Sequence, residues 1–91
     1  MEKTLIKTRR FNKETYKIYL IEPSYDGETG VCGMEIEPYV QVKTPENCFG
    51  YEDTILFNRI GYGYSMNMIN HPNWIMRELE KINRKILQGL Q

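Results

Sequence analysis

From Thr15 to Ile21 the side chains alternate, with Tyr16, Ile18 and Leu20 on one face and Lys17, Tyr19 and Ile21 on the other. That period of two, carried by β-branched and aromatic residues, predicts a strand. The stretch Glu22-Pro-Ser-Tyr-Asp-Gly-Glu-Thr-Gly ends it with turn residues. A second alternation follows: Met34, Ile36, Val40 and Val42 on one face, Glu35, Glu37, Tyr39, Gln41 and Lys43 on the other. The two runs read as a hairpin with a long loop. Pro38 has no N–H for a ladder, which places this second strand at an edge or at a bulge. A third strand is predicted at about 54–58. A fourth covers 60–69, where Ile60, Tyr62, Tyr64, Met66 and Met68 alternate with small or polar residues. Its second face is nearly bare, so another element should lie close against Gly61 and Gly63. Leu5–Thr8 reads as a short additional edge strand.

The period changes to that of a helix after His71-Pro72. Ile75, Leu79, Ile82, Ile86 and Leu90 form one stripe flanked by Met76 and Leu87, which predicts a helix over about 73–88. Proline suits its first turn, Gly89 suits its end, and Glu80 and Arg84 stand at i and i+4 in the favourable order. The pattern as a whole predicts an α+β fold: a small antiparallel sheet of three to five strands with one C-terminal helix packed on one face. A chain of 91 residues makes a single domain, 1–91. No internal repeat or linker divides it.

Charge changes the picture most. Residues 1–20 hold six bases against two acids, 21–53 hold eight acids against Lys43 alone, and 54–91 hold five bases against two acids; the formal sum is zero. A zero sum argues against a dedicated basic nucleic-acid binder, and the blocks speak to partners instead. Glu35 and Glu37 should point off the open sheet face, with Asp26, Glu28, Glu46, Glu52 and Asp53 on loops at its rim. No apolar run reaches the roughly 20 residues of a membrane-spanning helix. Nor does the start of the chain resemble a signal peptide, which makes the cytoplasm the default location. Cys32 and Cys48 then read as free thiols.

The chemistry-bearing residues form no catalytic set. His71 is the only histidine, and nothing in the spacing of Cys32 and Cys48 brings a thiol to it. Metal-ligand spacings are missing, so no metal and no cofactor is expected. Gly61-Tyr62-Gly63-Tyr64-Ser65 lacks the ending of a phosphate loop.

These features point to a small non-enzymatic binding module acting through a protein partner with a basic surface. A phage or mobile-element accessory protein that inhibits a host factor is one concrete version. The contact residues expected are Glu35, Glu37 and Tyr39 on the sheet with Trp74 and Arg77 on the helix. The alternative is a nucleic-acid-binding domain using Lys7, Arg9, Arg10 and Lys13 around Phe11, strengthened if Tyr19 or Tyr62 is presented on an exposed strand. A small-molecule or nucleotide binder at the Gly61–Tyr64 strand and Trp74 comes next. Self-pairing into a homodimer would use the edge strand bearing Pro38.

Overall fold

The computed structural model describes residues 2–22 and 38–89. Five strands, β1 (Glu2–Phe11), β2 (Glu14–Glu22), β3 (Tyr39–Lys43), β4 (Thr54–Phe57) and β5 (Gly63–Ser65), are followed by helix α1 (Asn73–Gln88). They form one antiparallel meander in the order β1-β2-β3-β4-β5. The fold is α+β, as the alternation requires.

Register explains the core. Tyr16, Ile18 and Leu20 lie on the same face as Val40 and Val42, which pair in turn with Phe57 and Ile55. These residues are buried together with Phe11, Ile75, Leu79 and Leu87 in a single hydrophobic cluster. Burying an aliphatic side chain of this size contributes about 1.5–3 kcal/mol, so one sheet face against one helix stripe supplies the main driving force.

Four expectations are corrected. β3 is the central strand: Pro38 falls just before it and removes no ladder hydrogen bond. The expected short segment at Leu5–Thr8 is a ten-residue edge strand paired along β2. Its register shifts between Leu5 and Lys7, a bulge that breaks the period of two and hid the strand from pattern reading. The strand expected over 60–69 contracts to Gly63–Ser65, because tight turns occupy both flanks. The buried line of the helix is Ile75, Leu79, Asn83 and Leu87, with Ile82 and Ile86 only partly buried. Leu90, Met34, Ile36 and Cys32 lie outside the described residues.

The remaining expectations about local structure fare better. Gly61 and Gly63 are closely approached: a Cβ on Gly61 would meet Arg84 at 3.0 Å, and one on Gly63 would meet the Phe57 ring at 2.5 Å. Glu80 and Arg84 are bonded at 2.6 Å. β1 and β2 are joined through Asn12 and Lys13, both at positive φ, the backbone of a two-residue hairpin turn that matches strand twist. Pro72 stands one position before the helix as its N-cap.

Candidate functional surface

Alternation and register place three rows of side chains on the sheet face opposite α1. The first crosses all five strands as Leu5, Tyr19, Gln41, Leu56 and Tyr64. A second, on one side of it, runs Thr8, Lys17, Lys43 and Thr54, with Arg10 and Thr15 beyond. On the other side stand Lys3, Ile21 and Tyr39. Neighbouring strands are about 4.8 Å apart, so Tyr19 on β2 and Tyr64 on β5 are separated by roughly 14 Å. Lys3 Nζ lies 4.3 Å from the centre of the Tyr19 ring, so the ammonium sits against one face of it.

The charge described on this face is basic. Glu35 and Glu37 lie outside the described residues, and the charged side chains described here are Lys3, Arg10, Lys17 and Lys43. Lys17 stands directly opposite Lys43 in the ladder. Like charges in such positions oppose pairing. Lys43 donates to the Thr54 hydroxyl at 2.9 Å, and among the described residues no carboxylate shares the face. Described acids sit elsewhere: Glu14 and Glu22 on the helix side of β2, Glu46 and Glu52 in a loop, Glu78 and Glu80 on the helix.

The residues expected to act together are separated. Tyr39 is on the open face, whereas Trp74 and Arg77 belong to the helix on the other side. Trp74 remains 43% exposed and meets Phe11 edge-on at 5.6 Å, closing the end of the core without being swallowed by it. The basic set divides as well. Lys7 and Arg9 fall on the helix side of β1, where Arg9 lies over the Phe11 ring at 5.8 Å. Arg10 is on the open face, and Lys13 is in the hairpin turn.

Asp53, read from the sequence as a rim charge, is 1% exposed. Its carboxylate accepts from the Ser65 hydroxyl, from His71 Nε2 at 2.7 Å, and from the backbone N–H groups of Thr54 (2.7 Å) and Asn67 (3.0 Å). Burial pushes the Asp53 carboxyl up, but those four donors outweigh it and hold it below the usual carboxylate value. Its own N–H bonds the buried Thr44 hydroxyl at 2.7 Å. Ser65 and His71 both turn to the carboxylate, so the group ties loops together and leaves neither a nucleophile–base pair. Sequence could not foresee it, because its members are drawn from three segments.

Two turns share one design. Asn47-Cys48-Phe49-Gly50-Tyr51 and Asn58-Arg59-Ile60-Gly61-Tyr62 repeat the pattern Asn-x-apolar-Gly-Tyr, contrary to the expectation of no repeat. In each, the Asn N–H donates to the carbonyl of the Tyr, and the Gly N–H returns to the carbonyl of the Asn. The Asn47 side chain caps the N–H groups of Phe49 and Tyr51, and that of Asn58 caps those of Ile60, Gly61 and Tyr62. Gly50 and Gly61 have φ of +82° and +100°, which suits glycine. The two clasps stand at opposite ends of β4 and hold Phe49, Tyr51, Ile60 and Tyr62 out into solvent.

No helix among the described residues is long and apolar enough to cross a membrane, and no group of metal-ligating side chains is found among them. Comparison with known protein families, with curated proteins and with solved structures finds no match to this chain.

Proposed function

We propose that this protein is a non-enzymatic binding module whose open sheet face takes single-stranded nucleic acid. The observation that carries the proposal is Lys17 opposite Lys43, flanked by Arg10 and Lys3, beside a row bearing Tyr19 and Tyr64. Cations left facing one another without a described acid cost the fold stability, and a bound polyanion offsets that cost. Phosphates fit the lysine row, and unstacked bases fit the tyrosines one row away, as on other sheet surfaces that bind single strands. Spaced tyrosines on a sheet face stack on unpaired bases, which a duplex keeps inside its own helix, and this favours the single strand as ligand. The zero net charge does not bear on a face that concentrates one sign locally.

Fluorescence anisotropy with labelled single-stranded homopolymers, and with a duplex as control, tests this. Single strands are expected to bind in preference to the duplex, with the logarithm of the affinity falling linearly against the logarithm of the salt concentration. Lys17→Ala or Lys43→Ala should each reduce the salt slope by about 1. Tyr19→Ala should cost about 1–3 kcal/mol. No retention of single strands at low salt, or unchanged affinity in a folded Lys17→Ala/Lys43→Ala variant, defeats the proposal.

A protein partner, the first expectation from sequence, draws no support from a shared Tyr39–Trp74–Arg77 surface. What favours one is a different place, the free edge of β5.

A further inference from the structure

The two edges of this sheet are built differently. β1 carries Lys3, Lys7, Arg9 and Arg10, the charged dressing that keeps an edge from pairing with its own copy. β5 has no such protection. Between Arg59 and Arg77 the chain contains no Asp, Glu, Lys or Arg at all. Within that stretch Ile60, Tyr62, Tyr64, Met66 and Met68 are all exposed, Met68 to 90%. Met68 is also held at φ +58°, a backbone conformation unfavourable for a side chain of its kind.

Backbone geometry leaves the outward N–H groups of β5 open, while the Ser65 carbonyl already accepts the Met68 N–H at 3.4 Å. Met66 N–H donates to Thr54 and Tyr62 accepts from Asn58, so the even-numbered residues face β4. By strand alternation, the amides of Gly63 and Ser65 point away from the sheet. Against that edge lies a groove of about 400 Å³ lined by Gly63, Tyr64, Ser65, Met68, Ile69 and Met76, among others.

We infer that two copies of this chain pair antiparallel through β5, about a two-fold axis at Tyr64, to make one ten-stranded sheet. A second copy is the occupant that this edge fits best. An uncharged edge is complementary to itself, and two copies meet without repulsion. Symmetry pairs Gly63 of each chain with Ser65 of the other, and the apolar side chains of each lie against the groove of its mate. Three residues supply few backbone bonds, so the tyrosines and methionines carry most of the contact. The opposite edge cannot do the same, because pairing β1 with its copy would bring two basic rows together. The row ending at Tyr64 would then continue across the axis onto the second molecule. The pairing itself does not depend on the nucleic-acid reading.

Light scattering across a concentration series, combined with amide exchange of the unmodified chain, tests the pairing. A monomer–dimer equilibrium is expected, with exchange at Gly63 and Ser65 slowing as the dimer fills. Met66→Lys with Met68→Lys should return the chain to monomer with its circular dichroism intact. A monomer at every concentration, assembly beyond the dimer, a folded lysine variant that still dimerises, or exchange at Gly63 and Ser65 that ignores concentration each overturns it. Exchange is read on the natural chain, so a variant that fails to fold leaves the decision to that measurement.

Discussion

Asn83 is the residue whose environment fits its chemistry least. It is 0% exposed, it lies on the buried line of α1 between Leu79 and Leu87, and neither its Oδ1 nor its Nδ2 has a hydrogen-bond partner among the described residues. A buried amide without hydrogen bonds costs about 1–3 kcal/mol, which places it among the larger single penalties in a small domain. Asn83→Leu, which keeps the branching of the side chain and removes both polar atoms, should therefore raise stability by about 1–2 kcal/mol in urea denaturation. A fall in stability would mean that the amide is satisfied by a group, such as an internal water, that the apolar residue cannot replace. The helix stripe read from sequence passed over this position because Asn is a poor core residue by every composition rule. Ile82 and Ile86 looked like the better line. Packing rotated the helix by less than one residue and made the difference.

The strands and the helix were legible wherever one face is buried and the other is not. β2, β3, β4 and α1 carry that contrast, and Val40 and Val42 entered the core as their alternation required. β1 was under-read because the helix covers only its Phe11 end: both faces are otherwise exposed, and the Leu5–Lys7 bulge disrupts what alternation remains. Residues 60–68 were over-read because their alternation continues through a turn, where it exposes apolar side chains instead of burying them. As for the open sheet face, its positions could be assigned, but the placement of the acids at its rim could not. That depended on which loop acids turn inward, and Asp53 did. The repeated clasps were recognisable only afterwards, since a five-residue pattern gains meaning from its hydrogen bonds. They allow an internal comparison between two copies of one design. Asn58 caps three backbone N–H groups and Asn47 caps two, all at surface sites. Asn58→Ala should cost more than Asn47→Ala, each about 1 kcal/mol, with near-additive effects because they sit at opposite ends of β4. Equal losses, or a larger loss at Asn47, would show that the side-chain caps do not set the strength of these turns.

At the scale of the molecule, the buried Asp53 carboxylate joins the start of β4, β5 and the segment leading into α1, while the backbone of the same residue bonds Thr44 at the end of β3. Its folded value is depressed, so the stabilisation is fully present above the unfolded value near 4 and is lost as pH falls through the lower folded value. Urea midpoints measured from neutral to acid pH should thus hold steady and then fall below about pH 4. Asp53→Asn should cost about 2–4 kcal/mol at neutral pH and flatten that acid limb. An acid limb of unchanged steepness in the variant would assign the acid response to other carboxylates.

The order of the sheet has a consequence for how the chain reaches its structure. Every strand pairs only with its neighbour in sequence, so each pairing closes before the next is needed and no segment must be threaded past another. Most β-rich chains fold slowly because distant segments must find each other first. This one can build its sheet as a succession of hairpins, starting from the two-residue turn at Asn12–Lys13. The step that spans the greatest sequence distance is the docking of α1 across the finished face, where Trp74 meets Phe11. Folding thus has one late, long-range event, and it is the event that seals the core.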